Sequence, residues 1–316
     1  MSNSFYTADQ VAQVTLRLAE EDQALSALIA RDIVDPIKGG GLGTAVQLRV
    51  PNALVARDRD IDDKTTALVY DEISEQVITV TANKAAYNGV SLSDGDLSLH
   101  LRDFASQVLV KQADAVVDRV EKEVADTINA IPATTLTRAW DATKPLQAFT
   151  DIRKILRQRG VPSDGIQCVV GVDVYAALLE ADVLTDASQS QSTAALREAQ
   201  VGKVRGFNVV ESTRVADGDI IAFHRDAFTL SVRSPAPALG EFAATVSSGG
   251  FSLRYTRGFD MTVAKHRSLV DTMFAVVPMP MYKITRDYST FAATATKLDA
   301  GSDATIRVET EAEGEG

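Results

Sequence analysis

Cysteine is almost missing from this chain, with Cys168 the only one among 316 residues. A single thiol excludes an intrachain disulfide and leaves no thiolate cluster for zinc. Within the apolar run Ile166-Gln-Cys-Val-Val170 it reads as a small buried hydrophobe. Histidine is nearly as sparse. His100, His224 and His266 are scattered, none stands in a spacing such as His-Glu-x-x-His, and each alone reads as structural. A surplus of positive charge is also lacking. The 32 Lys+Arg against 43 Asp+Glu leave a formal charge of −11, the wrong sign for a general binder of nucleic-acid phosphates or anionic membranes. The one basic group, Arg153, Lys154, Arg157 and Arg159, reads as a solvated helix face. No apolar stretch approaches the length that spans a bilayer, and no apolar core follows a basic start. The expectation is a protein made and kept in a cytoplasm, with no membrane partner.

Catalytic constellations are absent too. The most glycine-dense run, Lys38-Gly39-Gly40-Gly41-Leu42-Gly43-Thr44, fails the P-loop pattern because its lysine precedes the glycines. It fails the dinucleotide fingerprint because Val46 stands where the third glycine belongs and a helix end, Arg31 to Pro36, precedes it. A hinge between a helix and the strand Val46-Gln-Leu48-Arg-Val50 is the better account, with Gly39, Gly40, Gly41 and Gly43 as its bendable joints. No Gly-x-Ser-x-Gly elbow occurs, and Cys168 has no basic neighbour to favour a thiolate. The carboxylates Asp58, Asp60, Asp62 and Asp63 lie in a polar stretch where burial could hardly tune them for acid catalysis. An EF-hand reading fails because Asp63 and Val69 occupy the positions that need Gly and Glu. The expectation is a protein that is not an enzyme and uses no cofactor or metal.

What is present is a sequence of unusual elements. Val11, Val14, Leu18, Leu25, Leu28 and Ile29 predict an amphipathic helix from Ala8 to about Ile33, stopped by Asp35-Pro36. From about Thr44 to Ala82, two alternating segments flank a polar middle with Arg57, Asp58, Arg59, Asp60, Asp62, Asp63 and Lys64. This reads as a long two-stranded arm with little core of its own, marginal unless supported from outside. Asn83 to Asp96 is polar and Gly-punctuated. Leu97, Leu101, Phe104, Val108, Val116, Val120, Val124, Ile128 and Ile131 then step by three and four up to Pro132. A helix of that length spans on the order of 50 Å, a strut longer than most small domains are wide.

The remainder alternates. Leu146 to Arg159 reads as a helix, Ile166 to Val172 as a buried strand, and Tyr175 to Ala181 and Thr193 to Ala199 as helices. Strands follow at Phe207 to Val210, Ile220 to Phe223 and Phe228 to Val232. More come at Phe242 to Val246, Phe251 to Tyr255, Met261 to Val263 and Met273 to Val277. Asp299 to Gly316, with Glu309, Glu311, Glu313 and Glu315, reads as a disordered or weakly packed acidic tail.

This order of elements resembles the major capsid protein of tailed bacteriophages, and most of all the short-tailed phage coat protein branch. Three segments carry the resemblance. They are Asn83-Lys-Ala-Ala-Tyr-Asn-Gly-Val-Ser-Leu-Ser-Asp94 leading into the strut, Gly202-Lys-Val-Arg-Gly206-Phe207-Asn-Val-Val-Glu-Ser212, and Arg254-Tyr-Thr-Arg-Gly-Phe-Asp260. The resemblance covers Met1 to about Val277; the segment beyond Pro278 has no counterpart.

It implies an α+β fold: an N-terminal helical arm and hinge (1–43), an extended β-hairpin loop (44–82), and a peripheral domain with the spine helix (83–162). A central α/β axial domain (163–240), return strands of the peripheral domain (241–285) and the acidic tail (286–316) complete it. Leu101, Phe104, Val108, Val120, Val124 and Ile128 would form the core face of the spine. The resemblance also implies a structural subunit that assembles as hexamers and pentamers into an icosahedral capsid around double-stranded DNA. The β loop would lie over a neighbouring subunit and the N-terminal arm would reach beneath another. Scaffolding, portal and cement proteins are the further partners implied, with assembly in the host bacterial cytoplasm and DNA held without sequence-specific contact. The rival readings are an encapsulin-like compartment shell on the same fold, a metabolic enzyme with a β-rich lid, and an extended adhesin.

Overall fold

A computed structural model describes residues 11–15, 25–31, 45–51, 54, 56–58, 61–62, 65, 67–70, 75–81, 83–92, 108–138, 140–181, 203–237, 240, 242–248, 251–262, 265–289 and 292–310. The chain divides into two compact units. One comprises Met1–Ala45, Thr81–Ala130 and Phe228–Val277; the other comprises Val46–Val80, Ile131–Ala227 and Pro278–Gly316.

The first unit is a six-stranded sheet covered by one long helix. Its axis is β12 (Lys265–Pro278), which pairs antiparallel with β11 (Phe251–Asp260) on one edge and with β4 (Lys84–Leu92) on the other. The sheet order is β1 (Ala30–Arg31), β9 (Phe228–Arg233), β12, β11, β10 (Phe242–Ser248), with β4 added to β12. Register places Tyr255 opposite Val270, so the buried side chains of Phe251, Leu253 and Tyr255 share a face with Val270 and Phe274. Helix α1 (Val110–Asn129) buries Val116, Val120, Val124 and Ile128, which were expected on the spine's apolar stripe, and Val117 beside them, which was not. Gln112 ties helix to sheet: its Nε2 donates to Asn88 O and Ser268 O, at 3.1 and 3.2 Å, while Ser268 Oγ donates to its Oε1. Val108 is half-buried just before the helix; Leu101, Phe104 and the spine's expected start lie outside the described residues.

Three expectations for this unit need correction. The N-terminal helix does not run to Ile33. Val11 to Thr15 is helical, but Leu25, Leu28 and Ile29 lie buried in a turn that leads into β1, which pairs in parallel with Thr229 and Leu230. The Glu121 carboxylate, itself buried, accepts the N–H groups of Leu25 (2.8 Å) and Ser26 (3.1 Å), which is why a turn replaces helix there. So Leu25–Arg31 is not a free arm. Asn83 to Asp96, read as polar and Gly-punctuated with no strand assigned, contains the nine-residue strand β4; tertiary pairing with β12 overrides the weak strand propensity of its asparagine and glycine. Met261, expected in a strand, sits in the turn between β11 and β12.

The second unit holds a five-stranded sheet in the order β15 (Thr305–Glu309), β8 (Asp219–His224), β5 (Ile166–Val170), β7 (Phe207–Glu211), β6 (Lys203–Val204). Only β5 and β7 run parallel within it. Helix α2 (Leu146–Arg159) packs on the sheet, with Phe149 edge-on to Phe207 at 6.1 Å between ring centres; α3 (Val172–Glu180) follows β5. Gly160 ends α2 at φ 97°, and a Cβ there would fall 2.5 Å from Lys283 Cδ. Ile131 to Pro162, assigned by expectation to the peripheral domain, therefore belongs with this sheet, and β9 belongs with the other.

The acidic tail reading also fails for the described C-terminal residues. Thr305–Glu309 forms the sheet's edge strand, with Ile306 and Val308 buried. Its acidic neighbours masked a short in-out alternation, and Arg307 offsets them by pairing with Asp219 and Glu309, both at 2.9 Å.

Two substitutions test this architecture. Val120→Asp places an unpaired charge on the buried stripe of α1 and is expected to lower stability by roughly 3 kcal/mol or more; unchanged denaturant unfolding would contradict the helix register. Ile306→Ala is expected to cost about 2–5 kcal/mol, whereas a true tail would tolerate it with no shift in the unfolding midpoint.

Candidate inter-subunit surfaces

The described residues contain little that resembles a reaction centre. Cys168 is fully buried and its burial pushes the thiol far up, away from nucleophilic use. His224 is buried with Nδ1 accepting the Asp226 N–H at 3.1 Å. No three His, Cys, Asp or Glu side chains among the described residues come together as a metal site. An open hollow of about 570 Å³ lies on the sheet of the first unit, lined by Gly89, Thr256, Gly258, Met261, Arg267 and Leu269 among others. Its charged groups, Asp260 and Arg267, are paired with each other.

The ion pairs instead fix elements in place. Arg138 grips Asp151 of α2 through two bonds of 2.8 and 2.5 Å, and this guanidinium holds the Asp151 carboxyl below its usual range. Asp219 is pushed up by burial, an effect opposed by Arg307. In the first unit, Lys84 of β4 and Arg119 of α1 both pair with Glu123, and hydrogen bonding from Lys84 is the main cause of that carboxyl's lowered pKa. The basic group on α2 is not merely solvated. Arg153 donates to Arg205 O (2.8 Å), Arg157 to Val161 O (2.7 Å) and Arg159 to Ser302 O (2.6 Å), so each arginine secures a neighbouring stretch of chain.

The surfaces that stand out are two thin ribbons. The first joins β2 (Ala45–Pro51) to β3 (Glu75–Thr81) as a sheet of two strands among the described residues. Every described residue between them is exposed. Ile61 is 96% and Tyr70 84% exposed, and Leu54, Leu68 and Val69 are exposed with them. Burying one such side chain is worth about 1.5–3 kcal/mol, so their concentration marks a surface built to be covered. Arg57, Asp58 and Asp62 are exposed on the same loop. Arg59, Asp60, Asp63, Lys64 and the glycines Gly39, Gly40, Gly41 and Gly43 lie outside the described residues.

Sequence reasoning missed the second ribbon. β13 (Met281–Asp287) and β14 (Ala292–Leu298) form their own antiparallel pair, with Met281 opposite Leu298 and Asp287 opposite Ala292. Ile284 and Tyr288 are exposed, and Arg286 Nε donates to Leu54 O at 3.0 Å, linking this ribbon to the loop of the first. The alternation Ala-Thr-Ala-Thr at 293–296 was the available signal.

Comparison with known proteins identifies this arrangement. The family model described as phage capsid protein matches residues 79–272, well over half of the 316. No curated protein sequence matches the chain. The fold is similar to that of the solved structure of Mycobacterium phage Che8, at 18% identity and TM-score 0.55 over 87% of this chain and 90% of that one. It is similar to the capsid of Ralstonia phage GP4 at 11% identity and TM-score 0.55, over 93% and 90% of the two chains. It is similar to the capsid of the cyanophage P-SCSP1u at 13% identity and TM-score 0.52, over 89% and 86%. By the extent of that family match and by its capsid-like fold, the chain belongs to the phage capsid protein family.

Proposed function

We propose that this capsid subunit assembles with copies of itself, as hexamers and pentamers, into an icosahedral shell that encloses double-stranded DNA. The observation that carries the proposal is the first ribbon, whose apolar loop residues lie in water in the single chain. A neighbouring copy supplies the missing cover. Arg57, Asp58, Arg59, Asp60, Asp62, Asp63 and Lys64 then act at the rim of that contact, where mixed charges select register more than they add affinity. Gly39, Gly40, Gly41 and Gly43 act as joints that let one sequence meet non-equivalent neighbours.

Charge is compatible with the role. A shell with a formal charge of −11 per subunit encloses DNA without gripping it along every contact. The genome is held without sequence-specific recognition. Scaffolding, portal and cement proteins are the further partners in this reading, and the shell is put together in the host bacterial cytoplasm. An encapsulin-like compartment or an enzyme with a β-rich lid is less favoured, since the family match is to phage capsid protein.

Purified protein, alone or with a scaffolding partner, is expected to form closed megadalton shells by electron microscopy and light scattering. A compact monomer or small dimer under every assembly condition would overturn the reading. Deleting residues 57–64 is expected to leave the far-UV CD spectrum and thermal transition of the subunit intact while abolishing shells; loss of the thermal transition would show that the loop belongs to the subunit's own core.

A further inference from the structure

The second ribbon has no place in the contacts proposed so far. We propose that the β13–β14 ribbon is an inter-subunit element in its own right, and that its face carrying Tyr282, Ile284, Ala293 and Ala295 seats against a second copy of this chain. This rests on the reading of the chain as a self-assembling capsid subunit.

Register defines the two faces. Ile284 stands opposite Ala295 and Arg286 opposite Ala293, while Lys283 stands opposite Thr296 and Thr285 opposite Thr294. Side chains alternate, so Tyr282, Ile284 and Arg286 share one face with Ala293, Ala295 and Lys297. The base of the ribbon is anchored: Met279 and Leu298 are buried, and Lys283, on the opposite face, lies against Gly160. Beyond the base the cover thins, and Tyr282, Ala293 and Ala295 are only half-buried. Ile284 is 45% exposed, and Thr285, Arg286, Asp287 and Tyr288 are all exposed. A two-stranded ribbon alone is marginal in water, and neither strand joins another sheet of the described structure. Strand β14 lacks the usual guards of an edge, having no proline and a single charge in Ala-Ala-Thr-Ala-Thr-Lys-Leu.

The chemistry of the face selects its occupant. Its two cations are already engaged, Arg286 with Leu54 O and Lys297 with Asp299 at 2.9 Å, which disfavours a phosphate backbone as partner. Two alanines beside Ile284 leave a flat, side-chain-poor surface that another protein surface can approach closely. The Arg286 bond brings exposed Leu54 of the first ribbon alongside, so the face continues the surface already proposed to meet a neighbouring copy.

The test uses the full chain under conditions where the wild type forms shells. Ala295→Glu is expected to cut shell yield at least tenfold by sedimentation and electron microscopy. Thr285→Glu, on the other face, should assemble as the wild type does, and both should melt within about 2 °C of it. Wild-type yield from Ala295→Glu would overturn the proposal. A second readout does not depend on tolerance of a charge. The thiol introduced by Ile284→Cys should react with a bulky maleimide at least tenfold more slowly in assembled shells than in dissociated subunits; equal rates would overturn the proposal. A wild type that never assembles would instead overturn the capsid reading, and this inference with it.

Discussion

Burial of the valine stripe of α1 against the sheet built on β12 is the interaction on which the first unit depends. β12 is hydrogen-bonded along both edges, so its backbone cannot yield without disrupting two neighbours, and α1 covers the face that carries Val270 and Phe274. Gln112 is a polar group buried at that interface, and its amide is satisfied on both sides by Asn88 and Ser268. A buried amide so placed costs little when paired and sets helix position along the strand, because a shift of one turn would orphan all of its bonds.

The second unit solves a similar problem with ions. Its central strands β5 and β8 are apolar on both faces, as Cys168, Val169, Val170, Ile220, Ile221 and Ala222 are all fully buried. The surrounding pieces are fastened by arginines: Arg138 to Asp151, Arg153 to the β6–β7 turn, Arg159 to the carbonyls before β15, and Arg307 to Asp219. Guanidinium groups suit this use because their several donors reach fixed carbonyls and carboxylates at once. The result is a body with its apolar groups buried, together with two ribbons that leave apolar side chains such as Ile61, Tyr70 and Ile284 exposed.

Sequence reading succeeded where periodicity was long and the residues were apolar. Val116 to Ile128 fixed the spine's face, and Phe251 to Tyr255 fixed the inward face of β11, because a repeat sustained over several turns or alternations can be met by one element only. It failed where tertiary contacts decide. Lys84–Leu92 is a strand because β12 offers it an edge, and Leu25–Arg31 is a turn and strand because Glu121 captures two of its N–H groups; neither partner can be seen locally. Thr305–Glu309 was lost behind its acidic surroundings. For the candidate site, Arg57, Asp58 and Asp62 were found as polar loop residues, yet the more telling neighbours were apolar. Ile61, Leu68, Val69 and Tyr70 were passed over in a stretch read for its charges, and the structure shows them in water.

That omission has a physical cause with consequences for how a shell holds together. A side chain destined for burial between molecules has the same composition signature as one buried within, since the transfer free energy is the same. In the proposed shell, the two ribbons that leave such groups uncovered in the single chain would be covered by neighbours. With more than one such surface on each subunit, the proposed contacts would act together: once the first is made, the second would form at a high effective concentration. Contacts individually too weak to hold a dimer can then hold a closed assembly. Weakness at each site is also useful, because a misplaced subunit held by one ribbon can leave before the ring closes around it.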